Sequence, residues 1–176
     1  MITTDRLILR QWRDSDLDPW ASLNADPEVM RHFPAVHTRP ESDAMAAGNR
    51  DYIDQHGFGL WAVERRSDGE FLGFVGLKGL SDANPLAPAV EAGWRLASQA
   101  WGQGYATEAA AAAMADGFER LGLERIVAFT ARQNLPSQAV MTRLGMTRRE
   151  DLDFDHPALP AGHRLSRHLV WEALKP

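Results

Sequence analysis

The 176-residue chain contains no cysteine. That excludes disulfide staples, thiolate zinc sites and a cysteine nucleophile together. It fits a reducing compartment without proving one. There is no long apolar run. The longest stretch of small apolar residues, Ala109 to Ala115, falls far short of the roughly 20 residues that cross a bilayer. The opening Met1-Ile-Thr-Thr-Asp5-Arg6 has no apolar leader, so no signal peptide is read. Basic residues are not in excess: 19 Lys and Arg stand against 24 Asp and Glu, a net charge of -5. Duplex-binding proteins usually carry a basic stripe, so neither nucleic acid nor a membrane is an expected partner. What remains is ordinary. With 44% hydrophobic and 24% charged residues, wholesale disorder is not expected. The expectation is a soluble, cytoplasmic protein with one domain over residues 1–176.

Periodicity predicts a first strand over Ile2–Trp12, with Leu7 and Leu9 on one face. A short helix follows from an Asp14 or Ser15 cap through Trp20 and Leu23. The two prolines between Phe33 and Pro40 predict a loop, and Glu41 to Gln55 a helix closed by Gly57 and Gly59. Phe58–Arg65 and Phe71–Leu80 flank Ser67-Asp68-Gly69 and predict a hairpin. Val90–Leu96 alternates as a strand. Tyr105–Leu121 is alanine-rich and reads as the strongest helix. Arg125–Ala131 predicts a strand, Pro136–Leu144 a helix, Met146–Phe154 a strand and His168–Trp171 part of a last strand. The order implies a mixed sheet with helices on its faces, an α/β (α+β) domain.

The informative segment joins the Val90–Leu96 strand to the alanine helix through Gln99-Ala-Trp101-Gly102-Gln103-Gly104-Tyr105-Ala106. A helix N-terminus presents unpaired N–H groups and a partial positive charge. Glycines there let backbone approach a ligand closely, which together makes a phosphate cradle. The plain alternative is a glycine loop that only changes direction. No Gly-Lys-Ser/Thr exists for a P-loop. The dinucleotide fingerprint fails at its third glycine, where Thr107 stands, and the turn follows a hairpin and a fourth strand. What fits is Gln-x-x-Gly-x-Gly at Gln99, Gly102 and Gly104.

This pattern resembles the pyrophosphate-binding signature of the GNAT superfamily of acetyl-CoA-dependent N-acetyltransferases. Trp101-Gly-Gln-Gly-Tyr-Ala-Thr-Glu-Ala109 is similar to its RimJ/RimL-like branch. So are Asn134-Leu-Pro-Ser137 with Leu144-Gly-Met146, and the opening Thr4-Asp-Arg-Leu-Ile-Leu-Arg10. The resemblance implies a mostly antiparallel sheet whose fourth and fifth strands splay apart to take acetyl-CoA. It implies that Trp94, Arg95 and Leu96 offer backbone to the pantetheine arm and polarise the thioester carbonyl. Gln99, Trp101, Gly102, Gln103, Gly104, Tyr105 and Ala106 would hold the pyrophosphate, with Asn134 and Ser137 near the sulfur.

Acetyl transfer to an amine requires removing a proton from the nucleophile and supplying one to the thiolate. Glu91, on the thioester-binding strand, is the candidate base; the alternative is a solvated or paired strand residue. Ser137 is the candidate thiolate partner; the alternative is helix capping. Many family members place a tyrosine acid after the fifth strand. The two tyrosines here, Tyr52 and Tyr105, are not in that position. A non-catalytic acyl-CoA-binding module is therefore the second reading. Asp151, Asp153 and Asp155 would share one strand face, but lack the glycine and glutamate of a calcium loop. His156, His163 and His168 lack ligand-like spacing, and no metal is expected. Trp12, Trp20, Trp61 and Trp171 are candidates for core or for acceptor-pocket walls. Exposed sheet edges allow a homodimer without requiring one. Nothing in the sequence selects between a peptide N-terminus and a small amine as acceptor.

Overall fold

The computed structural model describes residues 1–176. Thr4 turns the chain where one long first strand is expected. Its N–H donates to the Leu7 carbonyl at 2.9 Å, and its Oγ1 accepts from the Leu7 N–H at 3.0 Å. The result is a tight ribbon of β1 (Ile2–Thr3) and β2 (Leu7–Arg10). Leu7 and Leu9 are fully buried. Arg10 is buried too, held by Asp16 at 2.7 and 2.8 Å and by Glu64 at 2.6 Å. Asp16 also accepts the Arg13 N–H at 2.8 Å, which starts a 3-10 turn over Asp14–Asp16. That turn leads into α1 (Leu17–Ala25).

α2 (Arg39–His56) starts earlier than expected, because Pro40 sits in its first turn, where no N–H is needed. Thr38 and Glu41 cap it reciprocally, the Thr38 N–H donating to Glu41 at 2.7 Å. Gly57 closes it in a left-handed conformation. The expected hairpin forms as β3 (Leu60–Arg65) and β4 (Phe71–Gly79). β5 (Val90–Leu96), α3 (Tyr105–Glu119), β6 (Arg125–Ala131) and α4 (Leu135–Arg143) follow close to their expected bounds.

The continuous strand expected over Met146–Phe154 does not form. Two short pieces, β7 (Thr147–Arg148) and β8 (Phe154–Asp155), flank a 3-10 turn at Glu150–Leu152, and both pair with β9 (Arg167–Leu174). Asp151, Asp153 and Asp155 therefore share no strand face. Arginines and a backbone amide hold them in place of a regular ladder. Asp151 pairs with Arg149 at 2.8 Å and Asp155 with Arg167 at 3.7 Å. Asp153 pairs with Arg148 at 2.5 Å and accepts the Val170 N–H at 3.1 Å.

All nine strands join one sheet, in the order β1-β2-β3-β4-β5-β6-β9-β7, with β8 off β9. Every pairing is antiparallel except β5 with β6, which is parallel and consists of the single residue pair Glu91–Val127. Beyond that pair the two strands run on to Leu96 and Ala131 without pairing to each other, each still held by its outer neighbour, so the sheet opens as a wedge. These are the expected fourth and fifth strands, renumbered because the first became two. α3 lies against the sheet face that carries Leu77; Ala109, Ala110 and Ala113 are buried there. α1 covers the opposite face, where the Trp20 and Phe74 rings stand edge to face at 5.6 Å. Trp12, Trp20, Trp61 and Trp171 are all buried in the core.

Candidate active site

The bend between β5 and α3 is built for an anion. Gly102 and Gly104 take φ of 73° and 81°, a left-handed conformation that costs other L-residues about 1–2 kcal/mol. A Cβ at Gly102 would meet no atom within 4 Å, so the space over the bend is open. The first helical bond of α3 runs from the Glu108 N–H to the Gly104 carbonyl at 3.0 Å. The N–H groups of Tyr105, Ala106 and Thr107 therefore point out of the helix end without helical partners. This geometry fits the pyrophosphate of acetyl-CoA, which needs backbone donors and no side chain in the way.

The residues expected around the bend divide into two groups. Trp101, Gly102, Gly104, Tyr105 and Ala106 line the cleft. Gln99 and Gln103 are exposed and do not; the Gln103 Nε2 donates to the Gln99 carbonyl at 2.9 Å and holds the bend in shape. The Trp101 indole N–H closes the bend onto the Leu96 carbonyl at 2.8 Å. Sequence reasoning missed the clasp behind it. Glu108 accepts from the Thr4 hydroxyl at 2.6 Å, the Arg6 N–H at 3.0 Å and the Arg6 Nε at 2.6 Å. Arg6 also donates to the Gln103 carbonyl at 2.9 Å. Burial would raise the Glu108 carboxyl, but these donors outweigh it and hold it below the ordinary range. The turn of the β1–β2 ribbon is thus fastened to the first turn of α3. Both partners lay in recognised motifs, but nothing in either motif paired them.

A cleft of about 1250 Å³ runs from the bend through the wedge. Trp94, Arg95, Leu96, Glu91, Asn134 and Ser137 all line it. Glu91 stands at the vertex, on the single residue pair that joins the two strands. Burial pushes its carboxyl up to about 8, and the charge of Lys78, its register partner on β4, only partly offsets this. Arg95 is two residues further along than Gly93, on the same strand face as Glu91. Its side chain is buried on the α1 side against Phe33.

Ser137 faces Trp94 across the wedge. Its Oγ accepts the Trp94 indole N–H at 3.2 Å and an Asn134 amide N–H at 3.1 Å. Asn134 is fixed in turn: it donates to Thr130 Oγ1 at 2.9 Å and its Oδ1 caps α4 by accepting the Ser137 N–H at 3.3 Å. A serine oxygen has two lone pairs and one proton. With both lone pairs occupied, the hydroxyl proton is the function left to offer. Ser137 thus sits both in the helix cap and in the cleft.

Tyr105 is buried, with the Arg6 guanidinium 4.6 Å above its ring, and packs. His156 and His168 line the cleft with rings 4.9 Å apart, and burial holds both below the ordinary imidazole range. His163 lies outside it, its Nδ1 accepting the Leu165 N–H. No three His, Asp or Glu side chains converge on a metal position. No helix is long and apolar enough to cross a membrane.

Comparison with known proteins agrees with this geometry. The chain is 31% identical over 148 residues to the uncharacterized N-acetyltransferase YnaD of Bacillus subtilis, covering 84% of this chain and 82% of that one. It is 32% identical over 149 residues to the FsC-acetyl coenzyme A-N(2)-transacetylase of Aspergillus fumigatus, covering 80% and 62%. Among solved structures, a GNAT-family acetyltransferase from Bacillus anthracis superposes with a TM-score of 0.82 at 24% identity, over 99% of this chain and 98% of that one. A family model described as an acetyltransferase (GNAT) domain matches residues 6–147. That match spans the phosphate bend, the wedge and Ser137, and the chain belongs to the GNAT acetyltransferase family.

Proposed function

We propose that this protein is an acetyl-CoA-dependent N-acetyltransferase. It moves an acetyl group to a primary amine by direct attack within a ternary complex. The observation that carries the reading is the wedge itself, with Glu91 at its vertex and the free Ser137 proton across from Trp94. When bound, acetyl-CoA supplies an activated acyl thioester and leaves as a thiol.

The chain's own residues supply the rest. The N–H groups at the start of α3 hold the diphosphate, and the unpaired β5 edge from Trp94 to Leu96 aligns the pantetheine arm. Glu91 takes a proton from the amine. A carboxyl near 8 is well matched to an α-amine, whose reference value is also about 8, so the transfer is close to balanced. A lysine side chain, near 10.4, would oppose it by about 3 kcal/mol. The match favours an α-amine or a similarly acidic small amine, in keeping with the RimJ/RimL-like motifs. Ser137 hydrogen-bonds the departing sulfur and relays to it a proton lost by the amine nitrogen, so its own hydroxyl is restored, a role that needs no tyrosine.

The test is release of free thiol from acetyl-CoA across a panel of peptides and small amines, with wild type and Ser137→Ala. Losing a hydrogen bond to a charged group costs about 1.5–3 kcal/mol, so kcat should fall roughly 10- to 100-fold with the KM for acetyl-CoA little changed. Tight acetyl-CoA binding without thiol release on any amine would favour the acyl-CoA-binding module instead.

A further inference from the structure

Two arginines are buried in this molecule, and they are treated in opposite ways. Arg10 is neutralised by Asp16 and Glu64. Arg95 has no carboxylate within ion-pair reach. Its one hydrogen bond runs from Nη1 to the Asn24 Oδ1 at 2.6 Å. Asn24 is neutral, and its own amide is tied to Ser42 Oγ at 3.1 Å. The Arg95 Nε is buried with no partner. Phe33, Trp20 and Phe74 surround the guanidinium, with ring centres 4.0, 5.4 and 5.7 Å from Cζ. Burial lowers this guanidinium to about 10, so it remains a cation at neutral pH.

Burying a charge without a counter-charge costs several kcal/mol. Here the residue with the unsatisfied group is one that lines the cleft. Nη1 is occupied, so the unpartnered edge is the Nε/Nη2 pair, two parallel N–H donors spaced to match a carboxylate. Arg95 lines the cleft, on the same strand face as Glu91. The strand rise puts about 13 Å between their backbones. A second unpartnered buried nitrogen, His32 Nδ1, belongs to the same cleft wall. Burial and the charges of Arg31 and Arg164 hold that imidazole below its ordinary range. Glu28, also on the cleft, is already paired with Arg31 at 2.9 Å.

We propose that Arg95 binds a carboxylate of the acceptor, so that the enzyme selects amines carrying an anionic group over neutral amines and polyamines. This rests on the amine-acetylating reading of the same cleft. The experiment uses the full chain and acceptor pairs that differ in one group: glycylglycine against glycylglycinamide, and 4-aminobutyrate against butylamine. With acetyl-CoA saturating, kcat/KM should favour the carboxylate member by about 10- to 100-fold, the range expected for a charged hydrogen bond. Arg95→Gln should collapse that ratio toward one, and Arg95→Lys should keep part of it. Equal use of both members, preference for the neutral one, or a ratio that survives Arg95→Gln overturns the proposal. A rise in KM for acetyl-CoA in place of the acceptor overturns it too. Should Arg95→Gln fail to fold, the wild-type ratios still decide. Thermal stabilisation of the CoA-bound wild type by glycylglycine over glycylglycinamide reads the same preference without turnover. If no amine is acetylated while that difference persists, acetyl transfer fails and the carboxylate site stands.

Discussion

A carboxyl held near 8 at the vertex of a wedge works against the fold that holds it. Glu91 ionises at 4.5 in an unfolded chain and at about 8 in the folded one. The folded state binds the extra proton, so this group's contribution to stability is complete below about 4.5 and is lost as pH rises to about 8. Glu91→Gln cannot ionise. We expect the variant to melt above wild type at pH 8–9 and to converge with it near pH 4–5, as followed by thermal unfolding. The same change should lower kcat/KM by about 10²- to 10⁴-fold, the usual worth of a general base. The wild-type rate should climb with pH through about 8, and the variant should lose that limb. Glu91 was legible as a candidate because it precedes the thioester stretch on one strand. The Arg95 side chain was not. The family resemblance assigns its backbone to the cleft, but only tertiary packing shows that α1 and Phe33 enclose the guanidinium without a carboxylate.

At the scale of elements, α3 explains the alanine run. Ala109, Ala110 and Ala113 are at most 2% exposed, and they let the helix lie low on β4 and β5. Ala110→Leu would overfill that contact and should cost about 1–3 kcal/mol, read as a lower urea midpoint. Ala115→Leu, on the exposed side of the same helix, should stay within about 0.5 kcal/mol. Elements whose period and end signals agree, β5, α3 and β6, were readable to within two residues. The failures share a cause. Thr4 breaks the first strand with its own side chain, and Arg148, Arg149 and the Val170 N–H break the stretch after Gly145. Side-chain bonds, whether to near neighbours or to Val170 across the sheet, carry no periodicity, so hydrophobic pattern alone could not reveal them.

Across the whole molecule, the cleft draws on both ends of the chain. The N-terminal ribbon braces the phosphate bend through Glu108, and β9 contributes His168 to the far wall. Acetyl-CoA should therefore stabilise the entire fold and not one loop. At 100 times its Kd, binding adds about 2.7 kcal/mol. A chain of this size gains about 2–4 °C per kcal/mol, so the melting temperature should rise by about 5–10 °C as one transition. Two separate transitions, with one unmoved, would contradict the coupling.

The lone Glu91–Val127 rung has a further effect on how the protein behaves in a crowded solution. Bare strand margins ordinarily invite neighbouring molecules to add on and start aggregates. In this fold the bare margins of β5 and β6 face one another inside a narrow fork. The main chain freed beyond that rung is thus turned into the cleft and not outward from the sheet.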